Sequence, residues 1–482
     1  MKKVLYVMIP VLLIAIYGCD PVEVELAYWI STDKHGNQVE KDLSCYKIDS
    51  EDPYTIRINL NEEKQTVEGF GGAVNEVGWD ALSVLADNEK EKVIEELFHP
   101  EHGLRLNRIR VPIGSSDFAL VRYSHNETPD DFLMENFSIE RDFSYLIPYI
   151  KAAMIYQPRI PVWGSAWTPP TWMKSNNDFD RGKMRDDPEV YGAYALYLKK
   201  FVETYRAEGI NLFEVAVQNE PKILEDYPTC GWDGNQYFEF VKNHLGPALK
   251  DMDIPVGIML GTFNFGNEYS DYIEKCLNDT EINAYVTSVG YQWNGIDMVP
   301  KTKVSYPNKR LVQTETECGN WHWNGVWNRL NPTYVFNAKK AQNDYFYATY
   351  TFDRIQDYFE AGVNTYYLWN IVLDQYGLNN NQEKPWPQNA AVVIDRDKKK
   401  AVFPPMYHAF WHFSHFIDPG AKYLSLEGEE ALGAAFKNPD SSVIVVLQNK
   451  EDTKRKITVQ IDTIKASVEL GAHTFNTLKI KL

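Results

Sequence analysis

Eight short apolar runs, each followed by a stretch with helical spacing, constrain this chain more than any other feature. They lie near Val67–Val74, Asn107–Ile113, Ile160–Trp167, Phe213–Gln218, Val256–Leu260, Tyr285–Trp293, Arg310–Thr316 and Val363–Trp369. Helical patterns such as Tyr191–Arg206 and Ala338–Ala361 fill the gaps between them. Apolar runs of this length suit strands buried on both faces, and the intervening helices suit crossovers between parallel neighbours. Eight such units predict a closed (β/α)8 TIM barrel. Residues 54–68 and 422–482 follow a different rule, alternating with period two at Ile56, Ile58 and Leu60, and again at Ile457, Val459 and Ile461. That is the pattern of half-buried antiparallel strands. The expected fold class is therefore α/β, a barrel over 69–411 with a side all-β sandwich assembled from 48–68 plus 412–482. A chain of 482 residues, 44% of them hydrophobic, is long enough to bury both cores.

The N-terminus reads as a targeting segment. Lys2 and Lys3 precede an apolar run, Val4 to Tyr17, that is too short to span a bilayer and ends in Gly18-Cys19. Residues 1–18 are expected to be a signal peptide. Ile16-Tyr17-Gly18-Cys19 resembles a bacterial lipobox, in which Cys19 is lipidated. Tyr17 is bulkier than usual there, so cleavage by an ordinary signal peptidase stays open. The expectation is an exported cell-surface or periplasmic lipoprotein that meets a membrane only through its anchor. Residues 19–47, polar and mixed, are expected to be an extended tether. Formal net charge is −18, which argues against a nucleic-acid partner. Cys45, Cys230, Cys276 and Cys318 form no Cys-x-x-Cys pair. His408, His412 and His415 share a helical face without a carboxylate partner, so they are expected to pack where barrel meets sandwich rather than hold a metal. No metal and no cofactor are expected.

Catalytic groups of such barrels sit at the C-terminal ends of the strands. The fourth run ends in Asn219-Glu220-Pro221 and the seventh in Thr314-Glu315-Thr316-Glu317. The two ends are about three β/α units of roughly 30 residues apart, which sets them across the mouth from one another. Paired carboxylates of this kind suit glycosidic cleavage, one protonating the leaving oxygen and the other attacking the anomeric carbon. Asn219 is placed to hydrogen-bond a sugar hydroxyl. Asp117, Trp167 and Trp369, also at strand ends, are candidates for sugar hydroxyls and a ring face. Trp321, Trp323 and Trp327, just past the seventh run, and Trp386 are candidates for a substrate platform; 13 Trp and 30 Tyr in the chain supply many flat apolar faces. A Gly-rich run, Gly69 to Gly72, lacks the Lys-Ser/Thr of a phosphate loop.

Seven segments together, GFGGAVNEVG, RIRVPIGSSDF, GSAWTPPTWMK, AVQNEP, TETECG, YLWN and HFSHFIDPG, span residues 69–420 and resemble glycoside hydrolase family 30, the family of lysosomal glucosylceramidase and microbial β-1,6-glucanases. The resemblance implies a retaining β-glycosidase with Glu220 as acid/base, Glu315 as nucleophile, and Asp117, Trp167, Asn219 and Trp369 as sugar-binding residues. Thr316-Glu317 also fits the family's Ser/Thr-Glu nucleophile pattern, and residues two apart on a strand share a face, so Glu317 remains a second candidate. On the sixth strand the family's aromatic cluster ends in Trp-Tyr; here Tyr291-Gln292-Trp293 stands in its place, with Tyr291 and Trp293 as binding candidates and Trp293 in the family tyrosine's position beside the nucleophile. A β-glucan, most of all a β-1,6-linked one, is the expected substrate, ahead of glucosylceramide, a short β-glucoside or xylan. The alternative of another class is a surface lipoprotein that binds carbohydrate on a catalytically inactive barrel.

Overall fold

The computed structural model describes residues 26–48, 53–264, 269–315, 339–380 and 387–481. Four strands come first: β1 (Leu26–Asp33), β2 (Gln38–Asp42), β3 (Cys45–Lys47) and β4 (Ile56–Thr66). Eight follow that close into a barrel: β5 (Gly69–Ala73), β6 (Arg108–Ile113), β7 (Val162–Ala166), β8 (Leu212–Ala216), β9 (Gly257–Phe263), β10 (Val286–Gln292), β11 (Arg310–Glu315) and β12 (Thr365–Asn370). Every neighbouring pair in the barrel is parallel. Each barrel strand falls within three residues of a run read from the sequence. A small sheet of β13 (Val372–Asp374), β14 (Val392–Asp395) and β15 (Lys400–Val402) follows the eighth strand.

Period two decides what fills the barrel. Trp163, Ala216, Met259, Val312 and Tyr367 meet inside it, while Phe70, Ile109, Val111 and Val162 face the surrounding helices. Gly71 is required here, because a Cβ would fall 2.3 Å from the Tyr367 ring. Below that layer Arg310 bonds Glu68 (2.9 Å) and lies 3.4 Å from the buried Glu214, closing the far end of the barrel with charge pairs.

The C-terminal strands β16 (Lys422–Gly428), β17 (Gly433–Lys437), β18 (Val443–Asn449), β19 (Arg455–Ile461), β20 (Ile464–Leu470) and β21 (Thr474–Lys481) join β1 to β4 in one ten-stranded sheet. Residues from both ends of that sheet, Trp29 and Ile480 at one and Ile457 and Val468 at the other, share a single apolar cluster, so the sheet closes on itself as a sandwich. This corrects the reading of 19–47 as a tether: its described part, 26–47, contributes three strands. β1 pairs along its whole length with β21, and β3 caps β20. β2 is exposed at every position and so offers no alternation to read. The boundary placed at 411/412 also falls inside a helix, Pro405–Ser414, and the sandwich resumes at Lys422.

That helix joins the domains. His412 is fully buried on it, with Nδ1 2.8 Å from Thr477 Oγ1 of β21 and Nε2 2.8 Å from Thr32 Oγ1 of β1. The Thr477 hydroxyl donates to the His412 carbonyl (3.1 Å), so the ring proton belongs on Nδ1 and Nε2 accepts from Thr32. Burial, and then His408 and His415, hold the ring well below its ordinary pKa, that is, neutral. Replacement by Leu strips partners from two buried hydroxyls and is expected to cost about 2–4 kcal/mol, measured by chemical unfolding at pH 8. Because the folded-state pKa is depressed, the wild type gains this stability above the unfolded histidine value and loses it as pH falls below. The His412→Leu protein is expected to lack that component of the pH dependence.

Candidate active site

The mouth is built on Arg110, a residue the sequence reading did not select. It lies on the inward face of β6 with no exposed surface. Its Nη1 donates to Glu315 Oε2 (2.8 Å) and the Thr314 carbonyl (3.1 Å), and its Nη2 to Asn219 Oδ1 (2.7 Å) and Ser165 Oγ (3.3 Å). Trp163, Trp167 and Trp369 surround the guanidinium at 5.1, 4.5 and 5.1 Å from their ring centres. Trp167 and Trp369 stack on one another at 5.2 Å and are each 2% exposed. Each therefore packs against the other and against Arg110 in the mouth, with little of its surface exposed.

Glu220 is reached past the end of β8. Val217, Gln218 and Glu220 donate their backbone N–H groups to Met259, Gly261 and Thr262 on one side, while Asn219 donates to Ala166 on the other. The segment is thus held in the barrel wall beyond the regular strand. Glu220 itself has φ +47°, a left-handed conformation that costs a residue of this type about 1–3 kcal/mol. Its side chain is 7% exposed. Oε1 accepts from Gln292 Nε2 (3.1 Å) and Oε2 from the Tyr227 hydroxyl (3.4 Å). Lys174, whose ammonium donates to the Phe179 (2.7 Å) and Thr229 (2.8 Å) carbonyls, ties the loops after β7 and β8 together beside Tyr227.

Glu315, at the end of β11, is 6% exposed. Besides Arg110 it accepts from the Trp293 indole N–H (2.9 Å) and from Gln292 Nε2 (3.3 Å). Tyr291 pairs with Gln313 but Gln292 pairs with Glu315, so two residues of β11 oppose one of β10. That slip lets Thr314 and Glu315 both reach the mouth, where strict alternation would allow one. Trp293, with φ +51°, turns back to aim its indole at Glu315. Tyr291 points the other way. Its hydroxyl donates to Thr302 Oγ1 (2.6 Å) behind the barrel wall, so its assignment to substrate is corrected: the residues on either side of it, Gly290 and Gln292, face inward. Glu317, Trp321, Trp323, Trp327 and Trp386 lie outside the described residues.

Asp117 completes the charge set. It is 5% exposed, and its Oδ1 has no hydrogen-bond partner among the described residues. Burial, then the Glu315 and Glu220 charges, raise its carboxyl well above the ordinary range. Glu220 is also raised, by burial and by Glu315. Burial raises Glu315 too, but Arg110, Trp293 and Gln292 oppose it. Among the described residues the mouth therefore holds three carboxyls and one guanidinium, and of the carboxyls the guanidinium bonds Glu315.

A closed parallel barrel with two such carboxyls at the ends of its fourth and seventh strands defines a glycosyl hydrolase. The chain belongs to glycosyl hydrolase family 30: the family's TIM-barrel domain matches residues 67–417, and its beta sandwich domain residues 420–478. Putative glucosylceramidase 1 of Caenorhabditis elegans is 28% identical over 90% of this chain and 84% of its own length. Endo-1,6-beta-D-glucanase of Neurospora crassa is 23% identical over 84% and 83%. The crystal structure of SrfJ from Salmonella typhimurium superposes with a TM-score of 0.83 at 22% identity, covering 95% of this chain and 99% of that one.

Replacing Arg110 with Met keeps a long apolar stem and leaves Glu315 buried without its counter-charge. Activity on an aryl β-glucoside is expected to fall by about 100-fold or more. The acid limb of the kcat/KM profile should move to higher pH, because Glu315 then resists ionisation. An unmoved acid limb would show that Arg110 does not set that charge.

Proposed function

We propose that this protein hydrolyses β-glucosidic bonds by double displacement, with Glu315 as nucleophile and Glu220 as general acid and then base. The observation that carries this reading is the unequal share of donors. Glu315 receives a guanidinium, an indole N–H and an amide N–H, all of which favour a carboxylate. Among the described residues Glu220 has no cation in hydrogen-bond contact, and its carboxyl is pushed up. A nucleophile must be ionised and an acid protonated at the same pH. The spacing agrees with retention. One nitrogen lies 3.1 Å from Glu220 Oε1 and 3.3 Å from Glu315 Oε2, so these oxygens are separated by no more than the sum of those distances. A single donor shared by both carboxyls suits the close pairing of retaining enzymes, roughly 5–5.5 Å between carboxyl groups, rather than a gap that admits a water.

In the first step Glu315 bonds to the anomeric carbon, the glycosidic C–O bond breaks, and the Glu220 proton passes to the leaving oxygen. In the second, water bonds to the anomeric carbon, the ester C–O bond breaks, and the water's proton passes to Glu220. Asn219, fixed by Arg110 and by the Thr262 hydroxyl (2.8 Å), and Asp117, whose Oδ1 has no partner among the described residues, are the groups for sugar hydroxyls.

Within the family, the reading favours β-1,6-linked glucan over glucosylceramide. It draws on the Neurospora relative, whose name is that of an endo-1,6-β-glucanase, and on the N-terminal segment, which suits an exported, lipid-anchored enzyme that meets polysaccharide outside the cell. The glucosylceramidase relative supports the alternative.

Glu315→Gln is expected to lower turnover roughly 10⁴-fold or more on every glycoside. Glu220→Gln should cost about 10²–10⁴-fold on substrates with poor leaving groups and much less on activated aryl glucosides. Proton NMR of the first-formed sugar should show the β anomer. Rates on β-1,6-, β-1,3- and β-1,4-glucans, xylan and glucosylceramide decide the substrate; faster cleavage of glucosylceramide than of β-1,6-glucan would overturn the linkage assignment while leaving the mechanism intact.

A further inference from the structure

Gln292 is the one side chain among the described residues whose hydrogen bonds reach both glutamates. It ends β10, and none of it is exposed. Its Nε2 lies 3.1 Å from Glu220 Oε1, 3.3 Å from Glu315 Oε2 and 3.4 Å from Asn219 Oδ1. Its Oε1 lies 3.1 Å from the Thr314 hydroxyl. Chemistry fixes this orientation: flipping the amide would set its oxygen against the Glu315 carboxylate and the Asn219 carbonyl, both acceptors, whereas the Thr314 hydroxyl, which also reaches the Tyr291 carbonyl (3.1 Å), could serve either orientation. A primary amide carries two N–H donors, one for each glutamate.

This inference rests on the roles proposed above for Glu220 and Glu315. Under them the pair carries one negative charge at every stage. Before attack the charge is on Glu315. Once Glu315 is an ester and the proton has left for the departing oxygen, the charge is on Glu220. When water restores the proton to Glu220 and the ester breaks, it returns to Glu315. Arg110 cannot follow the charge, because its two Nη groups are committed to Glu315 and Asn219. Tyr227 reaches Glu220 alone, at 3.4 Å. We infer that Gln292 is a positioning residue whose stationary amide donates to whichever glutamate bears the charge, so that no donor has to reorient between the two displacements. Donors already aimed at the site of developing charge are worth more than donors that must turn toward it. Among the described residues the other titratable or charged groups facing the pair are Arg110 from β6, Asp117 from the loop after it and Tyr227 from the loop after β8, and none of them is replaced by a change at 292.

The test is Gln292→Met, which matches the side chain's length and removes both donors, with Gln292→Asn as a second variant that keeps the amide but shortens its reach. Each is compared with the wild type in the pH dependence of kcat/KM on an aryl β-glucoside. The acid limb reports the group that must be ionised, Glu315, and the alkaline limb the group that must be protonated, Glu220. A donor bond to a carboxylate lowers its pKa, so removing the shared donor should move both limbs up by about one pH unit, with kcat about 10- to 100-fold lower. If either folded variant keeps both limbs where the wild type has them, or loses activity through KM alone, Gln292 is not a shared donor and the inference is wrong. Glu220→Gln and Glu315→Gln run in the same assay separate the two levels. Full activity in those variants would remove the roles themselves, whereas their inactivity beside an unmoved Gln292→Met profile would remove only this inference.

Discussion

Taking the Arg110 guanidinium out of water costs several kcal/mol unless partners replace the lost hydration. Here they do so with geometry that also builds the mouth. The Glu315 carboxylate supplies the opposite charge, Asn219, Ser165 and the Thr314 carbonyl accept further N–H groups, and three indoles lie against the cation. The same contacts orient Glu315 and Asn219, which come from β11 and from the end of β8. One residue on β6 therefore ties together side chains from across the barrel. It also sets the charge balance. Among the described residues one cation serves three carboxyls and is bonded to Glu315, while burial first, and then the neighbouring carboxylates, raise the pKa values of Glu220 and Asp117.

Regular strands cannot supply this arrangement by themselves, because alternation delivers one inward side chain in two. The mouth departs from alternation where function needs adjacent residues. Asn219 and Glu220 are consecutive, and Glu220 takes a left-handed φ to turn into the cleft. Thr314 and Glu315 are consecutive, and the register slip against β10 admits both. Gln292 and Trp293 are consecutive, and Trp293 is again left-handed. The backbone bonds of 217–220 to both neighbouring strands hold the strained segment in place.

These departures explain what the sequence disclosed and what it concealed. The eight strands were legible because their apolar runs are continuous, as burial on both faces requires. Asn219-Glu220-Pro221 was legible because a carboxylate directly after such a run is unusual. Arg110 lies within a segment that resembles the family, and the alternation of Arg108-Ile109-Arg110-Val111-Pro112-Ile113 does place an arginine on the inward face. An inward arginine reads as a defect until a partner is known, and the partner lies some two hundred residues away in sequence. Gln292 sits between two aromatics that suit sugar better by residue type, yet parity separates it from Tyr291, which must face out if Gly290 and Gln292 face in. The strands within 26–47 were hidden because β2 is wholly exposed and β1 gains its register from β21, at the other end of the chain.

That last pairing bears on the site. β4 runs directly into β5, the first barrel strand, and on the way Val67 exchanges backbone hydrogen bonds with Gly420 and Ala421, just before β16. Lys422 of β16 then pairs with Thr66. The chain thus enters and leaves the barrel through adjacent strands of the sandwich. β5 and β12 are the neighbours at which the barrel closes, and their register aligns Gly71 with Tyr367 in the inner layer. A slip of one residue there would exchange the inward and outward faces and turn Trp369 away from Arg110. The sandwich, remote from the carboxyls, thereby fixes the seam that keeps the tryptophan cage, and with it the guanidinium, under Glu315.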